Sequence, residues 1–393
     1  MATDVQSDEG QQNAHGVSSL PCSIPGKSSY NIRGHHFTVD SRYKIVKAIG
    51  VGAYGVVVSA VDTKDGSMVA WKKITGVFDD AIDAKRVLRE IRLMRALEHE
   101  NILPLTDMEE PQSMEEFTEV YMASPLYDKD LGKILAANVT LTTSHKQYFV
   151  YQMLSALKYL HSANVLHRDL KPANILIQES CDLALCDFGL ARYVDADDNT
   201  QKGMTEYVVT RWYRAPELVL THSYTSAVDL WAVGCILGEL LGGKVLFRGR
   251  DFKHQVETIC EVLGKPSGED ADHVTSARAK KFLDSLPDCE GTDFQDLFPD
   301  ADAEGIDLLR KLLRFNPEKR LTAEQALEHP YVSQYHDLEY EATASMEIDM
   351  KSLEPRGENG EVSAEELKRM MISEIYNFRP KATIFQTCPN LVP

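Results

Sequence analysis

The first regular alternation of apolar and polar positions begins at Tyr43. Tyr43, Ile45 and the β-branched run Val56-Val57-Val58 are strand-like, and Gly50, Gly52 and Gly55 lie between them. Asp62-Thr63-Lys64-Asp65-Gly66 reads as a turn into a third strand, Met68-Val69-Ala70-Trp71-Lys72-Lys73-Ile74. The period then changes: Val87, Leu88, Ile91, Met94 and Leu97 recur at helical spacing. This opening third predicts a small sheet and one long helix. Beyond about residue 128 helices dominate. Tyr148, Met153, Leu154, Leu157 and Leu160 predict a strongly apolar helix ending near His161, and Thr322-Ala323-Glu324-Gln325 is a capping box for a helix that stops before Pro330.

The two ends differ. Residues 1–34 are rich in Ser, Gly, Gln and Asn without sustained periodicity, which predicts a disordered tail. Asp337 to Arg379 holds 11 acids and 5 bases. Within it Ser363-Ala364-Glu365-Glu366 caps a helix with Leu367, Met370, Met371, Ile375 and Phe378 on one face. An apolar stripe in a solvated tail predicts a helix that packs back on the body.

Charge narrows the function. The 393 residues carry 60 acids against 42 Lys plus Arg, a net charge of −18, which argues against a nucleic-acid binder, since phosphate backbones need a basic footprint. A membrane span needs about 18 consecutive apolar residues, and the chain has no such run. The start, Met1-Ala2-Thr3-Asp4, lacks both a signal-peptide pattern and the second-position glycine of myristoylation. Cys22, Cys181, Cys186, Cys235, Cys260, Cys289 and Cys388 are scattered without CxxC spacing. They predict a reducing compartment, with neither a zinc site nor a disulfide framework.

Three segments carry chemistry. Gly50-Val51-Gly52-Ala53-Tyr54-Gly55 is a GxGxxG followed by a strand, not by the helix that a dinucleotide fingerprint opens; a glycine loop between strands can lie over phosphates. Alternation places Ala70 and Lys72 on the face under that loop and Trp71 on the other, and Glu90, mid-helix among apolar residues, offers Lys72 a partner. The third is His167-Arg168-Asp169-Leu170-Lys171-Pro172-Ala173-Asn174 with Asp187-Phe188-Gly189. Phosphoryl transfer needs a carboxylate for the attacking hydroxyl and hard oxygen ligands for magnesium; Asp169 suits the first role, Asn174 and Asp187 the second, and Lys171 can neutralise the transferring group.

Together with Ala215-Pro216-Glu217, these residues resemble the protein-kinase signature set, from about Tyr43 to Tyr331. Thr205-Glu206-Tyr207 and Thr210-Arg211-Trp212-Tyr213-Arg214, with the 30-residue step from Asp187 to Glu217, are similar to mitogen-activated protein kinases of the extracellular-signal-regulated type. The resemblance implies an α+β bilobal kinase fold with a small β-rich N-lobe and a larger, mainly helical C-lobe. Its expected boundaries are a tail at 1–34, N-lobe 35–123, hinge 124–128, C-lobe 129–332 and an acidic extension 333–393 whose helix straps the lobes. It implies a proline-directed Ser/Thr kinase using ATP and Mg2+. The nucleotide would meet Ile49, Gly50, Val51, Gly52, Ala53, Tyr54, Gly55, Val57, Ala70, Lys72, Glu90, Leu126 and Tyr127. Phospho-Thr205 would draw in Arg89, Arg168 and Arg192; phospho-Tyr207 would engage Arg211 and Arg214. Val209 would shape the pocket for proline, and Glu217 would pair with Arg320. Implied partners are an upstream dual-specificity MAP kinase kinase, phosphatases, and Ser/Thr-Pro substrates with basic docking peptides. The implied compartment is the cytoplasm with access to the nucleus.

Some positions depart from the pattern. Ser124 stands at the gatekeeper position, where the family has a larger residue, and Pro125 cannot donate in the hinge, which leaves the Leu126 and Tyr127 amides for adenine. Asp337 matches the first docking acid, the second aligns with Tyr340, and Glu339 and Glu341 keep the patch negative. Cys186 precedes Asp187 and reads either as a target for an electrophile or as a small buried hydrophobe. Two rivals remain in view. A pseudokinase scaffold is opposed by the presence of Lys72, Glu90, Asp169, Asn174 and Asp187, and a cyclin-dependent-type kinase by Tyr207, Arg211 and the tail helix.

Overall fold

A computed structural model describes residues 16–52, 55–137, 139–193, 210–221, 224–339, 341–349, 355 and 362–378. It divides into one unit of Met1–Arg95, Leu103–Tyr127 and Glu354–Pro393 and a second of Ala96–Ile102 and Asp128–Leu353.

The first unit holds two antiparallel sheets. β1 (Val17–Leu20), β2 (Lys27–Ile32) and β3 (His35–Asp40) pair in that order. β4 (Tyr43–Gly52), β5 (Gly55–Asp62), β6 (Met68–Ile74), β7 (Asp107–Met108) and β8 (Val120–Pro125) form a second sheet of order β4-β5-β6-β8-β7. The expected disorder to residue 34 therefore fails for 16–34; residues 1–15 lie outside the described set. The physical reason is in the packing. Tyr30, Ile32, Phe37 and Val39 alternate inward from β2 and β3 and pack with Val56, Val58, Ala60, Val69 and Trp71. Lys27 pairs with the buried Glu109, which also accepts the Asp40 amide at 2.7 Å. Strands of four to six residues, rich in serine, give too short an alternation to read alone.

Helix α1 (Ala81–Ala96) buries Ala84, Val87, Leu88, Ile91 and Met94, and with them Arg89 and Glu90. The tail helix (Ala364–Phe378) starts where expected, its Ser363 hydroxyl accepting the Glu366 amide at 3.2 Å while Glu366 accepts the Ser363 amide at 2.7 Å. Leu367, Met371, Ile372 and Ile375 are buried. Glu374 accepts from Arg92 Nε at 2.9 Å and is paired with Arg95, so two cations of α1 share one carboxylate of the tail helix.

The second unit is mainly helical: α2 (Leu131–Ala136), α3 (Thr143–Ser162), α4 (Pro216–Leu220), α5 (Ala227–Gly242), α6 (Phe252–Leu263), α7 (Ala277–Ser285), α8 (Phe294–Leu297), α9 (Ala303–Leu312) and α10 (Ala323–Leu327). Thr322 and Gln325 form the expected capping box. α5 is buried on nearly every side, as its continuous apolar sequence requires, and admits two acids, Asp229 and Glu239. Gly234 lets it approach the 312–313 pair; a Cβ there would lie 2.8 Å from Leu313 Cδ2. Short strands place the functional loops. β9 (Lys129–Asp130), β11 (Ile175–Ile177) and β12 (Leu183–Leu185) pair in the order β12-β11-β9, and β10 (Val165–Leu166) pairs with β13 (Arg192–Tyr193). The first part of the acidic extension belongs here, with Ile348 N donating to Ala163 O at 3.0 Å and Ala344 N to Ser162 Oγ at 2.8 Å. No described helix is long and apolar enough to cross a membrane.

Candidate active site

In the first unit, β4 and β5 carry the glycine loop. Ile49, Gly50, Val51 and Gly52 are exposed, and Ala53 and Tyr54 lie outside the described residues. Gly55 has φ +143°, and a Cβ on it would fall 1.8 Å from the Lys73 carbonyl oxygen, so only glycine fits. The register sets Val57 opposite Lys72 and Ala70 opposite Ser124. Val57, Ala70 and Lys72 share the partly open face, while Trp71 on the other face is fully buried 4.9 Å from the Tyr43 ring. Lys72 Nζ donates to both Glu90 carboxylate oxygens, at 2.9 and 3.2 Å. One sequence expectation is corrected: the Leu126 amide is spent on the Met68 carbonyl at 3.2 Å and is not left for adenine. Pro125 ends the pairing of β8 with β6 opposite Val69, and the chain makes its next bond one residue on.

In the second unit, the loop after β10 folds around Asp169. Lys171 Nζ lies 2.5 Å from Asp169 Oδ2, and Asn174 Nδ2 donates to Asp169 O at 2.9 Å and to Oδ2 at 3.2 Å. The Asp169 amide donates to His167 Nδ1 at 3.3 Å while His167 Nε2 donates to Cys186 O at 3.1 Å, which assigns the proton of the buried imidazole to Nε2. Cys186 N in turn donates to Asn174 O at 3.0 Å. Asp169, Asn174 and the residue before Asp187 are thus tied into one network. Phe188 is fully buried 5.1 Å from the His167 ring, and Asp187, partly exposed, has φ +70°. Arg168 also has positive φ, +67°. Strained backbone at both positions holds these side chains where relaxed loops would not.

Asp229 of α5, which the sequence reading missed, supports this loop. It accepts from His167 N at 3.0 Å, Arg168 N at 2.8 Å and His161 Nε2 at 3.0 Å. Burial works to raise its carboxyl, but the hydrogen bond from His161, with the neighbouring histidines and the Arg168 amide, outweighs it and holds the group below the usual range. Its only sequence signal is an acid inside an apolar helix.

Residues 43–332 match the protein kinase domain family. The chain is 47% identical over 355 residues to Extracellular signal-regulated kinase 1 of Dictyostelium discoideum, covering 90% of this chain and 66% of that relative. It is 47% identical to Mitogen-activated protein kinase PMK1 of Pyricularia oryzae, over 89% of this chain and 98% of the relative. With Mitogen-activated protein kinase 5 of Arabidopsis thaliana it shares 45% identity over 90% and 93% of the two chains. The chain belongs to the mitogen-activated protein kinases. It is a Ser/Thr protein kinase of signalling cascades with an α+β kinase domain.

The kinase's arginines are partly gathered. Arg214 is buried; desolvation lowers its pKa, Asp169 opposes that, and the positive charges of Arg211 and Arg168 add to the lowering. The Arg211 and Arg168 guanidinium groups therefore sit close enough to Arg214 to repel it. The Arg168 guanidinium stacks 4.5 Å over Tyr224, Arg211 Nη1 donates to Arg250 O at 3.0 Å, and Arg192 Nη1 donates to Ala191 O at 2.9 Å. Arg89 is buried on α1 in the first unit. Thr205, Tyr207 and Val209 lie outside the described residues. Glu217 and Arg320 form the expected buried pair.

The expected docking acids divide. Asp337 and Glu339 are exposed, but Glu341 is buried: His336 Nδ1 lies 2.6 Å from its Oε1 and Lys158 Nζ 3.2 Å from its Oε2. It is corrected from docking residue to structural anchor. Sequence reasoning also passed over three rings near these acids. Tyr148, Tyr151 and Tyr335 cluster with centroids 5.0 to 6.4 Å apart. Burial and then the Asp182 carboxylate push the Tyr148 hydroxyl up to about 12; burial, then Glu341, Glu100 and Asp337, do the same for Tyr151. They come from α3 and residue 335, so no local motif announces them.

Proposed function

We propose that this kinase transfers the γ-phosphoryl group of Mg-ATP to Ser or Thr followed by Pro, and that phosphorylation of Thr205 and Tyr207 by an upstream dual-specificity MAP kinase kinase switches it on. The observation that carries the reading is the convergence of Lys171 and Asn174 on Asp169 Oδ2. Oδ1 is the oxygen we assign to the substrate hydroxyl, whose proton it accepts as the oxygen attacks phosphorus. Lys171 neutralises the transferring group, and Lys72, oriented by Glu90, holds phosphate oxygens. Asn174 Oδ1 and the Asp187 carboxylate are hard oxygen donors suited to magnesium, since the Asn174 amide nitrogen is already committed to Asp169. Bound Mg-ATP supplies the phosphoryl group and its charge neutralisation.

Arg214, buried and repelled by Arg211 and Arg168, supports the switch, because a phosphate would relieve that repulsion with charge-assisted bonds of about 1.5–3 kcal/mol each. The tyrosine cluster beside Asp337, Glu100 and Asp182 supports docking of basic peptides from substrates, activators and phosphatases, since both aromatic faces and carboxylates attract cations. The family's cytoplasmic and nuclear compartments complete the reading. The test is phosphate incorporation into a Ser/Thr-Pro substrate before and after treatment with an active MAP kinase kinase. A large rise is expected on treatment and none in a Thr205→Ala/Tyr207→Phe variant; equal activity in all three samples would refute the switch.

Ser124 opposite Ala70 leaves small side chains on neighbouring strands. Purine inhibitors with a bulky substituent should therefore inhibit the native kinase more strongly than Ser124→Met, by about tenfold or more, since forcing extra bulk against a filled site costs about 1–3 kcal/mol. Equal inhibition curves would refute an enlarged back pocket.

A further inference from the structure

Two thiols outside the active site adjoin each other in the second unit. Cys260 lies in the last turn of α6 and is 3% exposed; Cys289 is partly exposed in the segment after α7. Cys289 Sγ donates to the Cys260 carbonyl oxygen at 3.1 Å. A carbonyl oxygen is about 2.4 Å from its own Cα, so Cys289 Sγ lies within about 5.5 Å of the Cys260 Cα. With Cys289 Sγ about 2.8 Å from its own Cα, the two Cα atoms are at most about 8.3 Å apart. Disulfides join residues whose Cα atoms are about 4.4–6.8 Å apart, so the bond needs an approach of about 1.5 Å at most.

The backbone fixes the two segments side by side. Lys265 N donates to Cys289 O at 3.0 Å and Thr292 N to Val262 O at 2.8 Å. Gly264 and Gly291, both at positive φ, allow the close approach; a Cβ on Gly291 would lie 2.5 Å from Gly264 N. Burial, and next the charge of Cys289, push the Cys260 thiol up to about 12. Neither is in a disulfide.

We infer that Cys289 and Cys260 form an oxidant-induced disulfide, with Cys289 as the thiol that meets the oxidant and Cys260 as the one that resolves it. Hydrogen peroxide converts the Cys289 thiol to a sulfenic acid with release of one water. The Cys260 sulfur then displaces the sulfenyl oxygen; its own proton leaves with that oxygen as a second water, and the S–S bond forms. Peroxide is the two-electron oxidant, and both sulfurs are oxidised. Burial shields Cys260 from the oxidant, so oxidation begins at the more exposed Cys289. A thiol reductant reverses the step. The link would close the chain from the end of α6 through α7 and restrain the unfolded state.

The experiment treats the full chain with hydrogen peroxide, blocks free thiols and maps peptides by mass spectrometry without reduction. The expected result is one peptide pair joining Cys260 to Cys289, lost on reduction, with a thermal midpoint raised by roughly 5 °C over the reduced chain. Cys289→Ser should abolish the pair, and Cys260→Ala should leave a Cys289 sulfenic acid that dimedone captures. If Cys260→Ala fails to fold, Cys289→Ser, altered in the partly exposed segment, carries the comparison alone. Cys289 recovered unmodified, over-oxidised or joined to another cysteine in the native sequence would overturn the inference.

Discussion

Replacing Asp169 with asparagine should lower kcat by about 10³-fold or more while changing the KM for ATP less than about threefold. Asparagine preserves the shape and can still accept from Lys171 and Asn174, which lie 2.5 and 3.2 Å from Oδ2. What it removes is the capacity to take the hydroxyl proton and the negative charge facing Lys171. A residue acting only in the reacting complex alters kcat and leaves nucleotide binding alone. Lys171→Met should fall in the same direction by about 10²-fold, because a cation near the transferring phosphoryl stabilises charge that develops there. Steady-state kinetics on protein pre-treated with a MAP kinase kinase measures both. A loss below tenfold for Asp169→Asn, or one confined to KM, would assign Asp169 to structure instead.

Most of this centre was legible because its residues sit in contiguous strings. His167 to Asn174 and Asp187 to Gly189 are local sequences, and their mutual bonds follow from short spacing around β11 and β12. Strand alternation similarly anticipated the opposite faces of Trp71 and Lys72 and, through Glu90, the ion pair that α1 presents. What stayed hidden required partners distant in the chain. Asp229 holds two loop amides from 61 and 62 residues away, and an acid inside an apolar helix does not say which groups it accepts from. Glu341 read as a solvated docking acid until Lys158 and His336 were found on it. The Leu126 amide was lost to adenine only because the register of β6 and β8 brings Met68 to it. The strands of 16–40 escaped because each contributes only two or so inward apolar residues, and their stability comes from packing on Trp71.

Arg320→Ala should destabilise the protein by about 3–5 kcal/mol, a fall in the thermal midpoint on the order of 10 °C for a unit of this size. Both side chains of the Glu217–Arg320 pair are essentially inaccessible to water. Arg320 donates from Nη1 and Nη2 to the two Glu217 oxygens at 2.5 and 2.7 Å, and to the carbonyls of Ala227, Phe315 and Arg314 at 3.0, 3.1 and 2.7 Å. Its guanidinium also lies 4.9 Å over the buried Trp231 ring. One side chain thus ties α4, the start of α5 and residues 314–315 together. Truncating it strands a buried carboxylate and three carbonyls, and the unpaired charge accounts for the largest share of the loss. Glu217→Gln in the Arg320→Ala background should restore part of the stability by removing that charge, so the double variant should be less unstable than the sum of the singles by 1 kcal/mol or more. Arg320→Lys should fall between, since an ammonium keeps the charge but cannot reproduce the fork. Denaturant unfolding of the four proteins measures the cycle, and additive losses, or an Arg320→Ala effect under about 1 kcal/mol, would show that the pair is not what holds these segments together.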